Sequence, residues 1–428
     1  MKVSLPYGRQ PLEVDLPDQA HVLLPERLPA LPDPLEAVRQ ALRQPIGSPP
    51  LAEQARPDDT VAIVFSDITR PVPNHILLPA ILAELAAAGV AKENIVLVNA
   101  TGMHRPNTRD ELIAMLGREV VEGYRIVQHE ATNRSQQALF SRNERGGEIW
   151  LNADYLKASV KILTGFVEPH IFAGYSGGGK AVLPGIASAE TILSNHSGPM
   201  LAHPRAAWCQ TEGNPIFQEM RQVALATRPA FIVNVTLNER KETTAVFAGD
   251  LVQAHDAGIA FAERAYVRPV PRRYDIAVST NMGYPADINL YQSIKGMSVA
   301  AQGVKEGGAV ILAAECAEGM GQPHFAEMVA WRQTPRELLV IVLAAGFAEL
   351  VQWAVQSQAM AQAKADVYLH SAMGREQTER AHLRYCPDVT KTVAALAEDF
   401  RRRNGGREPS ILVLPFGQLT VPRVGADV

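Results

Sequence analysis

The stretch VAIVFSDITRPVPNHILLPAILAELAAAGVAKENIVLVNA, residues 61–100, decides the fold. VAIVF reads as a buried strand, HILLPAILAELAAAG as a helix and NIVLVNA as a second strand, and such alternation predicts a parallel α/β sheet. Downstream the alternation continues with a helix over 109–117, strands over 125–129 and 160–166, a helix over 215–227, a strand over 230–238 and a helix over 255–266. Upstream, KVSLPYGRQPLEVDLP predicts two short strands around a turn at Gly8. The proline-rich segment 24–57 reads as loop with a short helix near 34–44. Proline and arginine cluster in VRPVPRR, residues 267–273, which places a domain boundary there. A second series follows: strand 274–280, helix 290–304, strand 308–315, a helical stretch 336–364 in one or two pieces, strand 366–371, helix 389–403 and strand 410–415. The expected fold is α/β, with two α/β domains whose mainly parallel sheets face a central cleft. Residues 1–268 form the N-terminal domain, and residues 273–428 form the C-terminal domain that closes the cleft. The pattern leaves open whether the last strand joins the second sheet or returns to the first.

Composition narrows the function classes. The chain has 428 residues, is 47% hydrophobic and carries a formal net charge of -4. With no long Lys/Arg run, it lacks the basic patch that nucleic acid requires, so small-molecule chemistry is the expectation. Cys209, Cys316 and Cys386 are far apart and show no C-x-x-C spacing, which indicates neither a thiolate zinc site nor a disulfide framework. The first residues lack a basic region followed by an apolar run, and no stretch has the ~18 apolar residues of a membrane span. A cytoplasmic protein without membrane or nucleic-acid partners is expected.

In open α/β sheets, ligands bind beyond the carboxyl ends of the strands. There the sequence places Asp67 and Arg70 after the first strand, His104 after the second, and Glu168 and His170 after strand 160–166. In the second series, Tyr291, Gln292 and Lys295 can close the cleft from the other side. Each has a plain structural alternative: Asp67 as a helix cap, Arg70 as an ion-pair partner, each histidine as a loop residue bonded to backbone.

The loop AGYSGGGKAVLPG, residues 173–185, matches the phosphate-binding pattern G-x-x-x-x-G-K-[ST] from Gly174 to Lys180 and fails at Ala181. Pro184 and Gly185 would also break the helix that should follow. Gly177, Gly178 and Gly179 permit close backbone approach to a ligand, and Lys180 adds a charge or a nucleophile. A flexible surface turn is the alternative. His196, in SNHSG, is either a metal ligand or a surface residue, and the residues alone favour the surface.

Taken in order, LPYG, DITRPVP, GMHRP, GFVEPHIFAGYSGGGKAVLPGIA, NHS and GYPADINLYQSIKGM resemble the lactate racemase family, whose members use a nickel-pincer nucleotide. The resemblance spans nearly the whole chain. It implies that Lys180 can tether the cofactor through a thioamide, that His196 is the protein's nickel ligand, and that His104 and His170 are the acid/base pair. Arg70 and Lys295 match cations near the substrate or cofactor, with Tyr291, Gln292 and Asp67 as supporting polar positions. The glycine loop then cradles a mononucleotide, and its match to the phosphate-binding pattern is coincidental.

The implied activity is racemisation or epimerisation at C2 of a 2-hydroxy acid, by proton-coupled hydride transfer to the cofactor through a 2-keto acid. The implied partners are that substrate and the enzymes that make the pincer. Two alternatives within this chemistry are a larger 2-hydroxy acid and a sugar acid. From other classes come a nucleotide-dependent kinase or NTPase, disfavoured by Ala181, and a non-catalytic carrier of the cofactor.

Overall fold

The computed structural model describes residues 1–425. Two six-stranded sheets organise it. The first runs, edge to edge, Thr243–Gly249, Phe231–Leu237, Val160–Phe166, Val61–Ser66, Ile95–Ala100 and Arg125–Gln128. All neighbours are parallel except the first pair. Helices cover both faces, and buried aliphatic side chains such as Ile63 and Leu97 on one face and Val64 and Val98 on the other fill two separate cores. Strands covered on both sides need unbroken apolar runs, which is why VAIVF is apolar throughout rather than alternating.

Strand order in this sheet reverses between Val61–Ser66 and Val160–Phe166, because the chain adds later strands first on one side and then on the other. Such a reversal opens a crevice at the carboxyl ends of the two strands. The residues after those strands, Asp67 to Arg70 and Glu168 to His170, therefore lie at the place where this fold class binds ligands.

The second sheet runs Arg384–Tyr385, Ala365–His370, Val304–Ala313, Tyr274–Thr280, Ile411–Leu414 and His21–Val22, all parallel. Helix Leu290–Gly303 follows its strand Tyr274–Thr280, starts at Asn289, whose side chain accepts the Gln292 N–H, and brings Tyr291, Gln292 and Lys295 to the cleft. Two α/β units with mainly parallel sheets facing a cleft are thus as expected.

Several details differ from the sequence reading. The N-terminal residues, expected to open the first domain, pack on the second sheet: His21–Val22 is its edge strand, and the hairpin Lys2–Tyr7/Gln10–Asp15 buries Val3, Leu5 and Val14 against Ile276 and Val413. Pairing partners so distant in sequence leave no local signal. The last strands divide as well. Ile411–Leu414 belongs to the second sheet, whereas Val421–Val424 pairs with Val267–Val270 beside the boundary. The edge strand Thr243–Gly249 and the hairpin Gln137–Arg142/Glu148–Asn152 were not read from the sequence. The stretch 336–364 is two helices, Pro335–Val342 and Gln352–Lys364, separated at Gly346 and at Val351, both of positive φ. Among the described residues no helix is long and apolar enough to cross a membrane.

Candidate active site

A cavity of about 200 Å³ lies at the strand-order reversal, between the carboxyl edge of the first sheet and helices Leu290–Gly303 and Gln352–Lys364. Asp67, Arg70, His104, His170, Gly177, Lys180, His196, Tyr291, Gln292 and Lys295 all line it. Residues spread over more than 200 positions thus converge because three strand ends of one sheet face one helix of the other.

His104 sits on the turn after Ile95–Ala100, and its Nδ1 lies 2.6 Å from Asp67 Oδ2. The second Asp67 oxygen accepts the Thr69 N–H at 2.9 Å and the Thr69 hydroxyl at 2.5 Å. Burial alone would raise the carboxyl pKa of Asp67. The His104 and Thr69 hydrogen bonds and the Arg70 charge outweigh it, and the pKa falls below the usual carboxylate value. An ionised Asp67 can only accept, so His104 must donate from Nδ1, and in the neutral ring this leaves the lone pair on Nε2. Asp67 therefore fixes the orientation and tautomer of the His104 ring. It does not cap the next helix, whose first residue is Asn74, preceded by Pro73.

His170 has the opposite tautomer. Its Nδ1 accepts the backbone N–H of Ala173 at 3.2 Å, so the proton of the neutral ring is on Nε2. Burial pushes the His170 pKa well below that of free imidazole, and Lys180, Lys295 and Arg70 add to this. Burial also lowers Lys180 well below an ordinary amine, with Arg70 and Lys295 contributing and Glu168 opposing. Lys295 is brought to about 8 by burial and Arg70. Arg70 and Lys295 give the small cavity a cationic character that suits anions, and the desolvated Lys180 amine is a nucleophile in its neutral form.

The glycines divide. Gly177 lines the cavity, but Gly178 and Gly179 do not. Gly178 has φ +50° and faces the His255 ring, so any Cβ would strike the imidazole. A Cβ on Gly179 would lie 2.7 Å from the Met220 carbonyl oxygen. At these two positions glycine lets the loop press against helices Pro215–Ala226 and Leu251–Tyr266. The loop is fixed from behind: Asn234 accepts the Gly178 N–H at 2.8 Å, and His255 Nε2 donates to the Ser176 carbonyl at 2.9 Å. Nothing near Asn234 or His255 in the sequence distinguishes them from core residues of a strand and a helix.

His196 is not on the surface. It is 4% exposed, and burial together with the Lys180 charge pushes its pKa down to about 3. Its Nδ1 is buried with no hydrogen-bond partner among the described residues. Phe172 and Trp353 flank the ring edge-on, with centroids 5.0 and 5.4 Å away. A permanently neutral imidazole with unengaged lone-pair capacity suits a transition metal. Among the described residues no group of three or more His, Cys, Asp or Glu side chains could hold a metal ion. The donor set therefore fits a metal that brings its own ligands, as a pincer complex does. Trp353, whose Nε1–H donates to the Tyr291 hydroxyl at 3.3 Å, was missed by the sequence reading because nothing in its helical run marks it as facing the cleft.

An imidazole held by a carboxylate, a second imidazole of opposite tautomer and a buried amine thus meet in one cleft between two α/β units. Residues 7–209 match the lactate racemase N-terminal domain and residues 270–420 the lactate racemase C-terminal domain. The chain belongs to the lactate racemase family and is an isomerase of the racemase type. It is 38% identical over 341 residues to the lactate racemase of Lactiplantibacillus plantarum, covering 79% of this chain and 80% of that one. To the lactate racemase of Thermoanaerobacterium thermosaccharolyticum it is 36% identical over 361 residues, covering 83% and 84%. The solved structure of a lactate racemase apoprotein from T. thermosaccharolyticum superposes with a TM-score of 0.90 at 31% identity, covering 99% of this chain and all of the other. A Thermotoga maritima protein shares the fold, with a TM-score of 0.69 at 18% identity, covering 92% and 99%.

Proposed function

We propose that this chain inverts C2 of a 2-hydroxy acid, lactate before larger or sugar acids, with a nickel-pincer nucleotide held by Lys180 and His196, as a cytoplasmic enzyme supplied by the pincer-making enzymes. The observation that carries the reading is the pair of cavity imidazoles with opposite tautomers. When bound, the nucleotide supplies a hydride acceptor for C2, which avoids a carbanion next to a carboxylate.

Arg70 and Lys295 hold the substrate carboxylate, Arg70 being suited to bidentate contact. His104 takes the hydroxyl proton at Nε2, and Asp67 stabilises the imidazolium that results. His170, with its proton on Nε2, lines the cavity and serves the oxygen of the other antipode. The cations that depress its pKa are those that anionic ligands neutralise, so occupancy raises its proton affinity toward the range useful for an acid. Tyr291 and Gln292 contribute polar contacts from the facing helix.

The test is racemisation of C2-deuterated lactate. Retention of deuterium at C2 through inversion is expected, and washout into water would overturn hydride chemistry in favour of proton abstraction at carbon.

A pH effect follows from Lys295. Protonated below about 8, it attracts the carboxylate, and above that value the attraction is lost. KM is therefore expected to rise as pH passes through about 8, and Lys295→Arg, charged at every working pH, should remove the rise. A KM that is flat across this range in the unaltered enzyme would show that Lys295 does not titrate against the substrate.

A further inference from the structure

The loop that carries His196 belongs to the first α/β unit, yet it is gripped by the second. Helix Gln352–Lys364 packs on helix Leu290–Gly303 and strand Ala365–His370 of the second unit. Gln352 and Gln356, one turn apart on this helix, are both 0% exposed. Gln352 Nε2–H donates to the His196 carbonyl at 3.0 Å, and Gln356 Nε2–H donates to the Gly198 carbonyl at 2.9 Å. Between them in sequence, Trp353 lies edge-on to the His196 ring. Gly198 approaches the Val342 carbonyl so closely that no side chain fits there.

Buried side-chain amides are costly unless bonded, and the Nε2–H donors of these two find their partners on the other unit, while Gln352 Oε1 accepts the Glu349 N–H and Gln356 Oε1 has no partner among the described residues. Each fixes the backbone of the histidine loop rather than its ring. The ring is then left with few orientations, because Phe172 holds one side and Trp353 another.

We infer that Gln352 and Gln356 are positioning residues that clamp the His196 loop across the cleft, so that retention of metal at His196 depends on the second unit staying closed over it. The inference rests on the nickel reading above. Its test therefore includes an arm that needs no nickel.

In that arm, hydrogen–deuterium exchange is followed on the apoprotein at the amides of His196, Leu201 and Ala202, which are bonded within the loop and its short helix. Gln352→Met and Gln356→Met keep side-chain length and remove the donor. Each is expected to speed exchange there about tenfold, the size associated with one buried hydrogen bond. The control is Gln358→Met on the same helix: Gln358 is equally buried but bonds to the Ala381 carbonyl within its own unit, and its loss should leave the loop unchanged. In the second arm, holoprotein made alongside the pincer-making enzymes is challenged with a chelator while intact denatured mass reports any adduct at Lys180. Faster nickel loss in both clamp variants, with adduct mass unchanged, is expected. Unchanged loop exchange, or exchange equally fast in Gln358→Met, overturns the clamp. Faster exchange with unchanged nickel loss overturns its role in metal retention. Holoprotein without nickel refutes the cofactor reading instead, and the exchange arm still decides whether the clamp exists.

Discussion

Replacing His104 by alanine is expected to lower turnover by about 10²- to 10⁴-fold, the usual cost of losing a general base. The geometry makes the prediction sharper than a simple deletion. Nδ1 of His104 is committed to Asp67 at 2.6 Å, so in the proposed mechanism the base is the Nε2 lone pair. Asp67→Asn keeps the size of that partner but turns one oxygen into an N–H donor. When the amide donates, the ring accepts at Nδ1 and carries its proton on Nε2, which removes the base without removing the imidazole. Asp67→Asn is therefore expected to approach the His104→Ala loss in kcat, with a small change in KM. A double variant no worse than His104→Ala alone would show that the two residues act as one unit. If Asp67→Asn turned over at the normal rate, the tautomer assignment would be wrong, and His104 would not act through Nε2.

The second large effect concerns Lys180. Its amine is desolvated and surrounded by Arg70 and Lys295, which favour the neutral, nucleophilic form. In protein made alongside the pincer-making enzymes, intact denatured mass should show an adduct, and nickel should approach one per chain. Lys180→Ala is expected to lose the added mass completely and most of the activity. Lys180→Arg places a fixed cation there and cannot form the thioamide. Activity in the arginine variant without added mass would mean that charge, not the covalent bond, holds the cofactor. An adduct that persists in Lys180→Ala would place the attachment elsewhere.

Much of this site was legible because its residues follow strands. Asp67, Arg70, His104 and His170 stand directly after apolar runs, and a strand end in an open sheet is a fixed place in space as well as in sequence. The facing set, Tyr291, Gln292 and Lys295, was legible for a related reason: it opens the helix after the next unit's first strand. The packing of the glycine loop was not legible. Gly178 and Gly179 look the same as Gly177 in sequence, but a glycine that admits a ligand and one that admits a neighbouring helix differ only in what stands opposite.

By itself the sequence determined the α/β class, the two units, the strand ends that carry chemistry and the family, because these depend on local periodicity and on motifs in order. Only the tertiary structure decided that His196 is buried rather than on the surface, that His104 and His170 carry opposite tautomers, and that the first residues of the chain complete the second sheet. Each of these depends on partners far away along the chain, Trp353 for His196 and Val413 for Val22 among them. Burial and hydrogen bonding are properties of what the fold brings together, and no window of neighbouring residues contains them.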